Sequence, residues 1–277
     1  MALYKAGEIL RMADKAKTSA IAFNCSDFNM VHSVAVAAER VHKPVICMLH
    51  PDHHRLENWI TPEVFAKLVK YEAAEISAPL AMHLDHCSDF DYIMRAIKAG
   101  FTSVMYDGSM LPFEENIRNT RAVVDVAHAM GVTVEAELGH VGLASTVEDQ
   151  NNLDMYTQAD VAAEFCDRSG CDSIAIAIGS AHGFYKETPH LDISRLKEIN
   201  AATDVPLVLH GGSGIPSDQL EVAFREGINK FNVGTEFFWL YNQTVQTYRE
   251  KDITQLPRRV QEALTGYLVQ KLELSKF

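Results

Sequence analysis

The sequence predicts an α/β fold, a (β/α)8 TIM barrel, and three observations predict it. Eight short apolar runs recur along the 277 residues, and helix-like patterns fill the intervals between them. No Pro/Ser-rich linker, low-complexity tract or clear short repeat divides the chain. Strands alternating with helices build a parallel sheet, and a closed barrel of this length forms one domain, taken here as residues 1–277. A doubly wound open sheet uses a similar alternation, so the count matters; eight favours the barrel.

The strands are expected at Ala20–Cys25, Pro44–Leu49, Pro79–Leu84, Ser103–Asp107, Thr133–Leu138, Ser173–Ile178, Pro206–Leu209 and Lys230–Val233. Each is almost continuously apolar, as strands buried on both faces are. Helices are expected between them, as in 61–77 and 112–131. Thr61 before Pro62 is a start signal, as is Ser217 with Asp218 after Pro216. Gly131, Gly170 and Gly227 sit where helices should stop. The interval 139–157, "GHVGLASTVEDQNNLDMYT", is too long and polar for an ordinary strand-to-helix turn. Such loops are mostly lids or binding loops, and a mobile active-site loop is expected here, with Gly139 and Gly142 as hinges. The tail 255–277, "QLPRRVQEALTGYLVQKLELSKF", adds a C-terminal helical extension, a candidate oligomer contact.

Composition excludes several classes. A net charge of -12 argues against nucleic-acid binding, because neutralising phosphates needs a basic face. No apolar run approaches a membrane span. The amphipathic N-terminus lacks the apolar centre of a signal peptide. Five cysteines, odd in number and without a CxxC pair, suit a reduced compartment. The expectation is a cytoplasmic protein.

Barrel enzymes carry their chemistry at the C-terminal ends of the strands, and polar residues gather there. Strand three ends in Asp85-His86, strand five carries Glu135 and Glu137, strand six leads to His182, and strand seven ends in His210. A buried carboxylate and imidazole are costly unless paired or bound. Three imidazoles, His86, His182 and His210, converging on one barrel mouth with a fourth position open describe a catalytic zinc site. His83 should face differently from His86 and is read as packed or supporting. His50, His53 and His54 are read as loop histidines, and His32, His42, His128 and His190 as structural.

"HGGSG" after strand seven and "NVGT" after strand eight lie where barrels commonly bind phosphate through backbone N–H groups. Metal, carboxylate and phosphate pocket together suggest carbon–carbon cleavage of a phosphorylated sugar. That reaction needs either a lysine Schiff base or a metal. The strand interiors read as free of lysine, with Lys230 opening strand eight at the wrong end, so the metal is expected to serve.

"HLDHC", "GFTSVMYDGSMLPFEENI", "GVTVEAELGHVG", "DSIAIAIGSAHGFYK", "LVLHGGSG" and "FNVGTE" resemble the class II, zinc-dependent ketose-bisphosphate aldolases, from about Phe23 to the C-terminal helix. The resemblance implies that His86, His182 and His210 hold Zn2+, with Glu137 an alternative ligand or a supporting carboxylate. It implies that Asp85 is the acid/base at the C4 hydroxyl, and that Gly183, Gly211, Ser213, Asn232 and Thr235 hold dihydroxyacetone phosphate. A monovalent cation, Na+ or K+, would sit near that phosphate. A second acid would come from the long loop, Glu148 or its neighbour Asp149. Arg258 of a neighbouring subunit would grip the distal phosphate, in a homodimer or homotetramer.

The implied reaction is reversible cleavage of a fructose- or tagatose-type ketose 1,6-bisphosphate to dihydroxyacetone phosphate and an aldehyde. Alternatives are another phosphorylated sugar, a deoxy-keto acid phosphate, or a metal-dependent hydrolase on the same fold. A barrel that has lost its chemistry is a further rival, opposed by Asp85 and the three histidines. The sequence departs from the family's pattern at His50, where relatives carry a small or hydroxyl residue. It departs also at "GHVGLAS", which lacks consecutive glycines, and at Gly234, often Ala or Asp.

Overall fold

A computed structural model describes residues 2–51, 60–139, 141 and 156–277. Eight parallel strands pair in chain order: β1 (Ala20–Asn24), β2 (Val45–Leu49), β3 (Leu80–Cys87), β4 (Ser103–Tyr106), β5 (Thr133–Leu138), β6 (Ser173–Ile176), β7 (Leu207–Leu209) and β8 (Ile228–Val233). β8 pairs back onto β1, with Ala20 opposite Lys230 and Ala22 opposite Asn232, so the sheet closes as a (β/α)8 barrel. Helix α1 (Ala6–Lys15) precedes β1. Outside the barrel run α2 (Phe28–Val41), α3 (Pro62–Glu75), α4 (Phe90–Ala99), α5 (Phe113–Ala129), α6 (Ala159–Ser169), α7 (Ile193–Ala202), α8 (Ser217–Arg225) and α9 (Thr235–Thr247). The extra C-terminal helix, α10 (Leu256–Glu273), packs on α2.

The helix boundaries follow local chemistry. Thr61 caps α3, its hydroxyl accepting from the Val64 N–H at 3.4 Å, and Pro62 takes the first turn, where a missing N–H costs nothing. Asp89 caps α4 in the same way. α6 stops at Gly170, whose φ of 71° opens the left-handed turn that a side chain resists.

The two faces of the wall differ. Outward-facing residues such as Phe23 and Phe231 join Phe65, Phe101, Phe165 and Phe237 in one apolar layer between strands and helices. Inside, the floor is built from Ala20, Ala22, Ile46, Met48 and Ala81, closed by Ile9 and Leu10 of α1 and flanked by Phe277. Above the floor the interior turns polar: Ser103, His83, Glu135, Ser173, Lys230 and His210 are buried there, followed by Asn24, Asp85, Glu137 and Asn232.

One sequence expectation is corrected. Lys230 does not open β8, because the strand begins two residues earlier, at Ile228, and Lys230 lies inside the barrel at 1% exposure. Asn229 hides this by breaking the apolar run. Its side chain serves the sheet instead, the amide oxygen accepting from the Leu207 N–H at 3.1 Å. The Lys230 ammonium donates to both oxygens of Glu135, at 2.8 and 3.0 Å. β3 also runs beyond its expected end at Leu84, to Cys87, and that extension shapes the site.

Candidate metal centre and active site

Strand alternation puts Ala81, His83 and Asp85 on the inner face of β3 and would turn His86 outward. The register with β4 shifts between Leu84 and Cys87, and His86 adopts a φ of 43°. A bulge of this kind re-aims a side chain, and a non-glycine residue at positive φ is held there by its surroundings. The His86 N–H donates to the Met105 sulfur, and its ring enters the barrel mouth. Its centroid lies 4.5 Å from that of His210 and 4.9 Å from that of His182.

Each imidazole needs one nitrogen oriented and one left for the centre. The Nδ1 of His86 lies 2.8 Å from Asp107 Oδ2, leaving Nε2 inward. The Nε2 of His210 lies 2.9 Å from Glu135 Oε1, leaving Nδ1 inward, 2.8 Å from His86 Nε2. Carboxylate–histidine pairs of this form fix ring and tautomer at metal centres. One ligand atom from each of His86, His182 and His210 lies within 4.8 Å of the others. Glu137 Oε2 is buried beside them, 3.4 Å from His210 Nδ1, without a hydrogen-bond partner. Three convergent nitrogens and an orphaned carboxylate oxygen fit a divalent cation, and zinc's preference for imidazole with an open position suits the set.

The electrostatics agree. Burial and the Asp107 charge push the Glu137 carboxyl up to about 8, so without a cation it holds its proton. Burial works to lower His86, but the Asp85 charge and the hydrogen bond to Asp107 raise it to about 10. A proton thus occupies the ground that a cation would take over on binding. Burial, and next the His86 charge, keep His182 well below the usual imidazole range. Burial would lift the Asp85 carboxyl, yet the His86 and Lys230 charges hold it well below the usual carboxylate range. Its Oδ2 accepts from the Asn24 amide at 2.8 Å and its Oδ1 from the Asn232 amide at 3.1 Å. Asp85 is an ionised, doubly oriented carboxylate facing the centre.

His86, His182, Asp85, Asn24, Asp107 and Glu137 line a cavity of about 1190 Å³ together with Gly183, Gly211, Ser213, Asn232 and Thr235, the five residues expected at the phosphate, while His210 is fully buried. Gly211 has a φ of 67°, and a Cβ there would stand 2.3 Å from the Ala181 carbonyl, so only glycine fits. Tyr185 ties the two loops, accepting from the Ala181 N–H at 2.7 Å and donating to the Gly211 carbonyl at 2.8 Å. Ser213 Oγ accepts from the Glu236 N–H at the start of α9, whose free N–H groups favour an anion.

Other expectations divide. His50 follows β2 in a loop and lines the cavity, its ring centroid 5.3 Å from that of His86. His83 faces the barrel interior, its Nδ1 2.8 Å from Ser103 Oγ. His32 and His128 pair with Glu72 and Asp172, outside the cavity. Arg258 is exposed on α10, paired with Glu262 at 2.8 Å, and does not line its own chain's cavity. Glu148, Asp149, His53, His54 and most of 139–157 lie outside the described residues. Sequence reasoning missed Asn24 and Asp107 and gave Glu135 no role. Their signal was position alone: Asn24 ends β1, and Asp107 follows β4.

The family model for class-II fructose-bisphosphate aldolase matches residues 4–276. The YdjI aldolase from Escherichia coli K12 is 33% identical, covering 99% of this chain and 97% of that one, with a TM-score of 0.89. A candidate fructose-1,6-bisphosphate aldolase from Coccidioides immitis is 27% identical, over 98% of this chain and 95% of that one, with a TM-score of 0.87. The fructose-bisphosphate aldolase of Campylobacter jejuni, at 24% identity over 98% and 95% and a TM-score of 0.82, shares the fold.

Proposed function

This chain belongs to the class II fructose-bisphosphate aldolase family, a metal-dependent carbon–carbon lyase acting on a phosphorylated sugar, and from that premise we propose the reaction in finer detail. The substrate is a ketose 1,6-bisphosphate of the fructose or tagatose type, cleaved reversibly to dihydroxyacetone phosphate and an aldehyde. The observation that carries this reading is the convergence of ligand atoms from His86, His182 and His210 beside a cavity that His86, His182, Asp85 and two glycine-rich loops line together. A zinc ion held by His86, His182 and His210 would supply Lewis acidity at the substrate's carbonyl and stabilise developing negative charge by several kcal/mol.

The chain's own groups perform the rest. Gly211, Ser213 and Thr235 seat the 1-phosphate against the N-terminus of α9, with Gly183 across the cavity. Asp85, held by Asn24 and Asn232, takes the C4 hydroxyl proton onto a carboxylate oxygen. The C3–C4 bond breaks, its electron pair stays with the ketose fragment, and C4 leaves as an aldehyde. Glu148 returns a proton to C3 of the remaining fragment, and residues 139–157 close over the cavity to exclude water. Arg258 of a neighbouring copy meets the distal phosphate in a homodimer or homotetramer, and Na+ or K+ accompanies the 1-phosphate. The whole chain, 1–277, acts as one catalytic domain. No helix among the described residues is long and apolar enough to cross a membrane, in keeping with a cytoplasmic enzyme.

The test is release of dihydroxyacetone phosphate from fructose and tagatose bisphosphates, before and after EDTA and with zinc restored. Loss with EDTA and recovery with zinc are expected, and the rate ratio names the preferred sugar. Cleavage that survives EDTA with no bound metal would sink the zinc assignment.

A further inference from the structure

A lysine inside a barrel is unexpected on energetic grounds. Such interiors are usually filled by Val, Ile and Leu, and a buried ion pair is often no better for stability than an apolar replacement. Lys230 and Glu135 are each 1% exposed, and their pairing sits between the apolar floor and the cavity. Lys230 does not line the cavity, and its ammonium is committed to Glu135, so it is not placed as a nucleophile.

What the pair does is visible in Glu135. Oε2 accepts from Lys230 at 2.8 Å, with the Ser173 hydroxyl at 3.5 Å. Oε1 accepts from Lys230 at 3.0 Å and faces His210 Nε2 at 2.9 Å. With a cation donating to both oxygens, Glu135 is an acceptor toward every neighbour. The proton on the 2.9 Å contact therefore belongs to His210 Nε2, and the Nδ1 lone pair is the one turned toward His86 and His182. Without the ammonium, Glu135 keeps only the 2.9 Å contact with His210 and the 3.5 Å contact with Ser173, and its carboxylate is free to swing away from Nε2.

We propose that Lys230 is a positioning residue: by locking Glu135 as an acceptor from both sides, it fixes the His210 tautomer whose Nδ1 faces the metal centre. The consequence for metal binding rests on the reading of His86, His182 and His210 as ligands; the tautomer assignment does not.

The test compares wild type, Lys230→Met, Glu135→Gln and the double variant, each shown folded by circular dichroism. The first readout is the imidazole 15N shifts of the metal-free protein, with His210 assigned by difference against His210→Asn. Wild type should show a protonated Nε2 and a bare Nδ1, and Lys230→Met a mixture. The second readout is zinc affinity by competition with a chelator. Lys230→Met and Glu135→Gln should each bind zinc about 10–100-fold more weakly, the scale for losing an outer partner of a ligand. The double variant should bind no more weakly than Glu135→Gln, since both residues act through one bond. If Lys230→Met fails to fold, the double variant is compared with Glu135→Gln: equal zinc affinity is expected, and weaker binding by the double variant would show Lys230 acting other than through Glu135 and overturn the proposal. Unchanged His210 shifts with zinc affinity within twofold of wild type would overturn the proposal. Wild type that binds no zinc would sink the ligand reading, while the 15N comparison would still decide the role of Lys230.

Discussion

The two faces of β3 set the terms of comparison for the whole molecule. Leu80, Met82 and Leu84 face the helices and join the outer apolar layer; Ala81, His83 and Asp85 face the barrel, and polarity rises step by step toward the mouth. The outer face is interchangeable in kind, because burial of apolar area is non-directional and roughly additive. The inner face is not, because its buried polar groups depend on particular partners: Asn24 and Asn232 for Asp85, Ser103 for His83 and Asp107 for His86. One wall thus carries stability on one side and chemistry on the other, and substitutions on the two sides should fail in different ways.

The largest expected effect is at the mouth. Asp85→Asn keeps the shape and one acceptor oxygen but removes the base, so cleavage should fall about 10²–10⁴-fold. Bound zinc should stay near wild type, because the proposed ligands are other residues, while the melting temperature should fall modestly, because the new NH2 group faces one of the two amide donors of Asn24 and Asn232. A loss of zinc equal to the loss of activity would move Asp85 from base to ligand. On the outer face the pattern inverts. Phe165→Ala removes a fully buried ring that packs at 6.1 Å from Phe113, and should lower unfolding free energy by about 3–5 kcal/mol. Activity per folded molecule at low temperature should hardly change. Denaturant unfolding alongside an assay at 10 °C separates the two.

The same contrast explains what was legible in the sequence. The outer face and the strand count were readable because continuous apolar runs need no partner to be recognised. His86, His182 and His210 were readable because strand ends are where barrels place chemistry. Other features depended on contacts that run across the barrel. His86 reaches the centre only through a bulge and a φ of 43°, which simple alternation does not foresee. Asp107, in "YDG", has the composition of a turn, and its role appears only when the His86 ring arrives 2.8 Å away. Lys230 was misplaced because Asn229 interrupts the apolar run that marks a strand, and its partner lies 95 residues earlier in the chain.

A smaller effect follows from the buried imidazole of His83. Burial and the Lys230 charge hold it down to about 3, against roughly 6.5 for an unfolded chain. The folded state therefore refuses a proton that the unfolded state accepts. The stability is whole above pH 6.5 and is lost as pH falls from there toward 3, by about 1.4 kcal/mol per pH unit for this one proton. His83→Asn, which can keep a hydrogen bond to Ser103, should be less stable than wild type at pH 8 and show a shallower acid arm. Unfolding free energies measured from pH 8 to pH 4 give both slopes. Parallel acid arms would mean that His83 is protonated in the fold and that the interior is wetter than its burial implies.

The smallest effect tests how tightly the inner face is specified. Gly234 follows β8 with a φ of −128° and a ψ of −66°, so it does not occupy the left-handed region that favours glycine. A Cβ there would nonetheless stand 2.7 Å from Asn24 Oδ1, the oxygen end of the amide that donates to Asp85. Gly234→Ala must therefore move Asn24 by a few tenths of an ångström or swing its amide away from the carboxylate. Because Asn232 still holds the other Asp85 oxygen, the base remains present but less firmly aimed. A rate loss of up to about tenfold is expected, equivalent to about 1.4 kcal/mol of transition-state stabilisation. It should appear in kcat rather than KM, because Asn24 is not among the residues proposed to seat the phosphate. Adding Asn24→Ala should produce no further loss, since the alanine at 234 would already have disabled that hydrogen bond. Additive losses in the two variants would show instead that residue 234 acts on the phosphate loop directly, and a rise in KM would identify it as part of the anion cradle.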